Sequence, residues 1–197
     1  DGLNGLLISC TITIFFILTK LNLIDGSFIS DQSANLIMLI LLLLLFLNVF
    51  NILMLGDSGA YLLGFFIGFT IITAHINNPD ISPYFFISLI WYPCFENLFS
   101  ILRKLNRDFS PLKPDSKHLH QLVFFFISKK FNLKLILSNN LSSTIIFLLN
   151  FLIIYISSLN PSSTIFQIKL IATSIIFYNI SYMLLFKFYK FNLISKK

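Results

Sequence analysis

Charged residues are scarce in this chain of 197 residues. They make up 11% of it, against 56% apolar residues. A soluble domain carries about 25% charged residues, most of them at its surface. The mean hydropathy of +0.86 agrees with this shortage of charge. The composition therefore excludes an ordinary soluble domain and predicts an integral membrane protein.

Cysteine is also nearly absent. Cys10 and Cys94 are the two cysteines of the chain, and both fall in apolar stretches, so a disulfide framework or a thiolate zinc site is not expected. The chain begins with Asp1 rather than Met and shows no basic signal-peptide region at its start. We therefore expect it to be the C-terminal part of a longer protein.

Long apolar stretches are abundant. A helix that crosses a membrane needs roughly 20 mostly apolar residues, and six stretches approach that length. They predict an all-α, polytopic membrane helix bundle in which residues 1–197 form a single transmembrane domain. Pro93, inside the fourth stretch, is expected to kink it. The predicted spans are Gly5–Leu23, Ala34–Phe50, Ser58–Ile76, Pro83–Leu102, Ser143–Leu159 and Thr164–Phe186.

Basic residues are distributed unevenly over the two sides of such a bundle. Six spans place both chain ends, the turn around Asp57 and a loop of residues 103–134 on one side. That side holds every Lys and Arg except Lys20 and Lys169. The positive-inside rule makes it the cytoplasmic side. Most of the net charge of +6 thus reflects membrane topology, and nucleic acid is not expected as a partner.

Asp57 is the only acidic residue between Ala34 and His75, and it lies in a small-residue turn between two apolar spans. An ionisable group so close to hydrocarbon is a candidate functional residue. Asp57 has two alternative roles. It is only a helix cap at the positive end of the helix dipole, a role that Ser58 can share, or it binds Mg²⁺. Behind it, Ala60, Gly64 and Gly68 form a small-residue stripe that predicts close packing of a neighbouring helix.

Two histidines form a second polar cluster on the same side. His118 and His120 are two residues apart, so an extended backbone would point both side chains the same way. They suit phosphate binding better than zinc, although a solvated loop is an open alternative. The apolar residues that follow repeat at helical spacing and predict a short helix in the headgroup layer. These are Leu119, Leu122, Val123, Phe126 and Ile127.

Two further clusters fall on this side. The first is the glycine-rich stretch Asp1–Leu6, whose backbone could approach a ligand closely, unless it is only a helix entry with Asn4 as the N-cap. The second joins Glu96 to Arg103 and Lys104 near the end of the fourth span. Pairing of Glu96 with a base across the bundle would be an ordinary structural role for it.

Together these motifs resemble a known family. The stretches Asp1-Gly-Leu-Asn-Gly-Leu6, Leu55-Gly-Asp-Ser-Gly-Ala-Tyr61 and His118-Leu-His120 are similar in order and spacing to those of the polyprenyl-phosphate N-acetylhexosamine-1-phosphate transferases. This family includes the bacterial undecaprenyl-phosphate GlcNAc-1-phosphate transferase and the MurNAc-pentapeptide translocase. Glu96 followed by Arg103 and Lys104 is also similar to the family's acid and basic pair.

The resemblance implies an enzyme of the bacterial plasma membrane with its active site on the cytoplasmic face. It would transfer a sugar 1-phosphate from a UDP-N-acetylhexosamine to undecaprenyl phosphate. UDP-GlcNAc is the favoured sugar nucleotide. The products would be a lipid-diphosphate-sugar for a cell-envelope polysaccharide and UMP. The implied cofactor is Mg²⁺, or Mn²⁺ in its place. The implied partners are the UDP-sugar and the membrane lipid, and a homodimer is left open.

The resemblance also implies roles for particular residues. Asp57, His118 and His120 would be catalytic, and Asp57 would hold the metal ion. The remaining positions would bind substrate: the nucleoside at the glycine-rich stretch and an anion at the basic pair. They are Asp1, Gly2, Leu3, Asn4, Arg103 and Lys104.

The chain departs from the family in two respects. Members carry an adjacent pair of aspartates upstream, which this chain lacks, so the chain alone is expected to be inactive. Many members have Asp where this chain has Asn4. The sequence His-Leu-His-Gln favours the GlcNAc branch, with a phospho-MurNAc-pentapeptide transferase as the alternative. A transporter whose polar path includes Asp57, Glu96 and Asn150 and a non-catalytic membrane scaffold are rival hypotheses from other classes.

Overall fold

The computed structural model of the protein describes residues 2–24, 31–105 and 117–194. All regular secondary structure in these ranges is helical, with no strand, which confirms the predicted all-α class for the described part of the chain. The helices are α1 (Leu6–Lys20), α2 (Asp31–Val49), α3 (Gly56–Asn77), α4 (Pro83–Leu89), α5 (Trp91–Leu105), α6 (Leu119–Phe131), α7 (Leu135–Ser158) and α8 (Thr164–Ile194).

Four helices are long and apolar enough to cross a membrane, namely α2, α3, α7 and α8. The pair α4 and α5 makes a fifth if the two form one broken span. Helix α1 is apolar but has 15 residues, fewer than the roughly 20 that a span needs, so the predicted count of six is not established. Large apolar side chains cover the outside of the long helices, such as Leu39 at 65% exposure. Such a surface suits lipid, and the chain is a membrane protein.

The fourth predicted span is broken into two helices. Helix α4 ends at Leu89 and α5 begins at Trp91, with a bend of 76° between them. Pro93 explains the position of the break. It has no N–H to donate to the carbonyl of Leu89, four residues earlier, and its ring would clash with that carbonyl in a continuous helix. The expected kink is therefore a bend that divides the segment into two separate helices.

Two buried clusters hold the bundle together. One joins α1, α2, α3 and α4 around side chains such as Phe15, Leu41 and Phe85. The other joins α5, α6, α7 and α8 around Tyr178 and Leu122. Lipid tails are as apolar as these side chains, so close packing rather than transfer from water stabilises the contacts within the membrane.

The predicted loop of residues 103–134 contains helix α6, as the apolar spacing indicated, and residues 106–116 of the loop lie outside the described part. Leu122 and Ile127 of α6 are buried where it packs against α7 and α8. Helix α7 begins at Leu135, eight residues before the predicted span. Polar side chains in its first two turns, such as Asn139 and Asn140, lowered the apparent hydropathy there, but they bond to other parts of the chain.

The small-residue stripe of α3 is not covered in the described part of the chain. A Cβ atom built at Gly64 or Gly68 meets no atom within 4 Å. The close helix packing predicted for this stripe is therefore not observed.

Gly5 is the residue on which the start of α1 depends. Its φ is +75°, in the left-handed region that favours glycine. Its backbone N–H donates to Oδ1 of Asn48 on α2. A Cβ atom at this position would lie 2.8 Å from Cδ1 of Leu45 and 3.3 Å from Cγ2 of Val49. Here α1 and α2 approach too closely for any side chain.

We expect Gly5→Ala to lower the free energy of unfolding by roughly 1–3 kcal/mol, because alanine is strained at this φ and its methyl group would push α2 away. Gly68→Ala is the matched control, since it adds the same methyl group inside a helix with open space around it. Thermal unfolding in detergent micelles measures both. A Gly5→Ala protein as stable as the Gly68→Ala protein would show that the junction tolerates a side chain.

Candidate functional site

A cavity of about 650 Å³ forms where the segment around Gly2 meets helices α1, α3, α5 and α6. Sites for small organic ligands typically have volumes of about 300–1,000 Å³. Its lining combines an apolar wall from α1 with a polar wall from the other elements. The lining residues are Gly2, Leu3, Leu6, Leu7, Cys10, Asp57, Tyr92, Pro93, Glu96, Asn97, His118, His120 and Gln121.

Five of the predicted site residues meet at this cavity, although they come from three distant parts of the chain: Gly2, Leu3, Asp57, His118 and His120. Asn4, Arg103 and Lys104 do not line it. Asp1 lies outside the described residues. The structure thus brings the three motifs together but not every residue within them.

Glu96 links α5 to the start of α6. Its side chain is buried, with 6% of the residue exposed. Oε1 accepts a hydrogen bond from the backbone N–H of Leu119 (2.9 Å) and lies 3.1 Å from Nδ1 of His118. The N–H groups of the first helical turn have no partner within the helix, and a carboxylate is well suited to accept from them. Glu96 therefore has the base across the bundle that the sequence suggested, and that base is His118.

The two histidines are held in parallel. His118 has an extended backbone with φ −68° and ψ 153°, and its N–H donates to Oε1 of Gln121 (3.2 Å). The rings of His118 and His120 stack with their centroids 5.4 Å apart and their planes 10° from parallel. The expectation that both side chains point the same way is confirmed.

His120 is partly buried beside His118. Burial lowers the pKa of its imidazole to about 4, the Glu96 carboxylate acts in the opposite direction, and His118 adds to the lowering. At neutral pH this imidazole is uncharged. A Cβ atom on Gly2 would lie 2.9 Å from Nε2 of His120, so glycine is what allows the backbone to approach this ring.

Asp57 lies in the first turn of α3, exposed and facing the cavity. The N-cap residue of α3 is Leu55, without a side-chain hydrogen bond, so neither Asp57 nor Ser58 acts as the helix cap. Within the described residues its carboxylate has no hydrogen bond or ion pair. It is free to bind a ligand at the positive end of the helix dipole.

The described residues contain no group of three or more His, Cys, Asp or Glu side chains that would enclose a metal ion. Mg²⁺ does not require such a group, because it is often bound by one or two carboxylates together with phosphate and water oxygens. Asp57 fits that arrangement as a single oxygen ligand. Glu96 also lines the cavity, with its Oε1 shared by His118 and Leu119 and its Oε2 buried.

Arg103 does not line the cavity, and its guanidinium is bonded within the protein. Its guanidinium donates to the carbonyl of Lys117 (2.5 Å) and to the hydroxyl of Tyr182. It lies over the rings of Phe99 and Tyr182, with 5.8 and 5.3 Å to their centroids. Arg103 thus fixes the backbone just before His118.

An asparagine network that the sequence did not reveal fixes the opposite wall. The backbone N–H of Asn4 donates to Oδ1 of Asn139 on α7 (2.8 Å), and its side chain donates to Asn51 beyond α2. Asn48 donates to the carbonyl of Leu53 (2.9 Å). Asn4 is thereby occupied in holding Gly2 and Leu3 beside the turn that carries Asp57. The signal in the sequence was the pair Asn48 and Asn51 at the end of an otherwise apolar run.

Comparison of the chain with known protein families, curated proteins and solved structures finds no match. The cavity and the motifs that line it are therefore the basis for a functional assignment. They supply a free carboxylate, a buried pair of glutamate and histidine, and a neutral imidazole. Such a set suits a reaction between anions in which a proton moves and a hard cation is held.

His120 should make the stability of the protein depend on pH. Below about pH 6.5 the unfolded chain protonates this histidine, while the folded protein does so only near pH 4. The free energy of unfolding should therefore have its full value above pH 6.5. It should fall by roughly 2–3 kcal/mol as the pH is lowered from 6.5 to 4. Denaturant unfolding of the wild type and of His120→Gln over this range measures the difference. Equal pH dependence in the two proteins would contradict the burial of a neutral His120.

Proposed function

We propose that the protein is a polyprenyl-phosphate sugar-1-phosphate transferase of the bacterial plasma membrane. It transfers the sugar 1-phosphate of a UDP-N-acetylhexosamine to undecaprenyl phosphate for the synthesis of a cell-envelope polysaccharide. The observation that carries the proposal is the meeting of the three motifs at one cavity. Gly2 and Leu3, Asp57, and the two histidines line the same cavity although long helices separate them in the sequence.

The reaction joins two phosphates. An oxygen of the lipid phosphate forms a bond to the β-phosphorus of the UDP-sugar. The bond from that phosphorus to the oxygen of UMP breaks, and UMP leaves with the electron pair. A lipid phosphate that still carries a proton must lose it, since the second pKa of a phosphate ester lies near 6. The site therefore has to offset negative charge and accept a proton.

The residues at the cavity match these needs. Asp57 would hold Mg²⁺, which supplies positive charge to the diphosphate when bound. His118 can accept a proton at Nε2, because Nδ1 is directed at Glu96. Neutral His120 can donate one hydrogen bond to a phosphate oxygen without a charge of its own. The backbone at Gly2 and Leu3 offers a surface that a nucleotide can approach closely.

The surroundings of the cavity also suit a lipid substrate. The bundle that contains it is covered with exposed apolar side chains, so a prenyl chain can remain in the membrane while its phosphate enters the site. The excess of Lys and Arg on one side supports a cytoplasmic position, where UDP-sugars are found. The His-Leu-His-Gln sequence supports GlcNAc as the sugar.

A transporter is less well supported than an enzyme. It requires polar groups through the depth of the membrane, and Asn150 was the candidate for such a position. Its Nδ2 donates to the carbonyl of Ile146 in its own helix (2.9 Å), and it does not line the cavity. Asn150 thus has a local structural role.

Loss of the Asp57 carboxylate should abolish transfer. We expect Asp57→Asn in the full-length protein to reduce Mg²⁺-dependent UMP release from UDP-GlcNAc by at least about 100-fold, because a neutral amide binds a hard cation poorly. The assay contains undecaprenyl phosphate and is followed by separation of the nucleotides.

Asp80→Asn is the matched control, since it removes the same charge from an exposed turn between α3 and α4. It should retain wild-type activity. Normal turnover of Asp57→Asn would exclude the metal-binding role, and an inactive wild-type protein would favour the non-catalytic scaffold.

The cytoplasmic position of the site can be tested by cysteine labelling. In a background with Cys10 and Cys94 replaced by alanine, Ser116→Cys should react with a membrane-impermeant maleimide only when the cytoplasmic side is exposed. Ser162→Cys, in the turn between α7 and α8, should react from the outside. Reaction of Ser116→Cys in intact cells would invert the proposed orientation.

A further inference from the structure

We propose that Glu96 is the positioning residue of this site: it holds His118 as the Nδ1–H tautomer, so that Nε2 of His118 is the proton acceptor. The role in turnover rests on the proposed transferase function. The state of the histidine does not, and it can be measured without substrate.

The geometry around Oε1 of Glu96 assigns the tautomer. This atom accepts from the N–H of Leu119, and Nδ1 of His118 lies 3.1 Å away. An ionised carboxylate only accepts hydrogen bonds, so Nδ1 carries the hydrogen in its contact with Glu96, and the capping contact of the His118 side chain with the backbone N–H of Gln121 competes with that contact. Nε2 is then the nitrogen with a free lone pair. The His118 side chain is 21% exposed and lines the cavity, so a ligand can reach it.

The second carboxylate oxygen of Glu96, Oε2, indicates that the negative charge of this residue has a role beyond capping α6. Oε2 is buried and has no hydrogen-bond partner among the described residues. The neighbouring hydroxyls of Tyr92 and Tyr178 are also buried, and both interact with the Glu96 carboxyl group without a hydrogen bond of good geometry. A buried carboxylate oxygen that lacks a hydrogen bond of good geometry is unfavourable for stability. A helix cap alone would not need this charge, because a neutral amide oxygen accepts equally well from Leu119.

Of the groups that face Glu96 from the neighbouring helices, His118 is the one that serves as its basic partner. From α6 there is His120, which is neutral at pH 7 because burial lowers its pKa to about 4. From α8 there is Tyr178, and from α5 itself Tyr92, neither of which can carry positive charge. Arg103 is bonded to the Lys117 carbonyl and to Tyr182. His118 is therefore the basic side chain that the Glu96 carboxylate contacts directly.

The proton transfer can be written out in full. The hydroxyl proton of the lipid phosphate monoanion moves to Nε2 of His118, and the freed oxygen electron pair forms the bond to the β-phosphorus. The bond between that phosphorus and the oxygen of UMP breaks, and UMP leaves with its electron pair. His118 then gives its proton to solvent. Glu96 favours the first step because it stabilises the imidazolium that forms, as carboxylates do for histidine bases elsewhere.

The activity test compares two variants in the full-length protein. Glu96→Gln retains the length and one oxygen acceptor for Leu119 but removes the charge. We expect kcat to fall by about 10–100-fold, as for other residues that support a functional histidine, with KM for the UDP-sugar changed less than about threefold. Glu96→Asp retains the charge and should recover part of kcat. A Glu96→Gln protein with the kcat of the wild type would show that Glu96 acts only as a helix cap, and it would overturn the proposal.

The substrate-free test is ¹⁵N NMR of the histidine-labelled full-length protein. The chain contains His75, His118 and His120, and His118→Gln assigns the His118 signal. The wild type should show the Nδ1–H tautomer for neutral His118, and Glu96→Gln should show more of the Nε2–H form. A wild type in the Nε2–H form would overturn the proposal whatever its activity. The expected tautomer in a protein without transferase activity would leave the pairing intact and reject the proposed function instead.

Discussion

The hydrogen bonds of the Glu96 carboxylate are the constraint on which the site depends. One buried oxygen accepts from the first N–H of α6 and from His118, so it fixes where α6 begins and which way the histidine faces. Helix α6 then packs against α7 and α8, and Arg103 holds the backbone just before His118. Without this carboxylate, the first N–H of α6 would lose its acceptor and Nδ1 of His118 would lose its contact with Oε1.

The other walls of the cavity depend on polar junctions of the same kind. Packing among apolar helices in lipid has little directional preference, so hydrogen bonds at the helix ends decide how the elements meet. The bend at Pro93 turns α5 by 76° relative to α4 and places Glu96 one turn later. On the opposite side, Asn4 and Asn48 bind the first residues of the chain to the turn that carries Asp57. The apolar helices thus supply the scaffold, and a few polar residues supply the geometry.

The sequence predicted much of this arrangement and missed parts of it for physical reasons. Long apolar runs revealed the helices, and the polar residues at their ends revealed Asp57, His118 and His120. Hydropathy reveals the length of an apolar segment but not the direction of its helix axis. The sequence therefore predicted a kink within one span where the structure has a break before Pro93. It also gave α7 too late a start, because Asn139 and Asn140 are satisfied by partners far away in the sequence. The resemblance assigned Asn4 and Arg103 to substrate, and their bonds to Asn51 and Tyr182 could not be foreseen because these partners are equally distant in the sequence.

The fate of the β-phosphate tests the central claim most directly. Membranes that contain the full-length protein are incubated with undecaprenyl phosphate and with UDP-GlcNAc labelled with ³²P at the β-phosphate. A sugar-1-phosphate transferase moves this label into the lipid extract and leaves unlabelled UMP in water. Label that stays in water, either in intact UDP-GlcNAc or in UDP after transfer of the sugar alone, would contradict the proposed reaction.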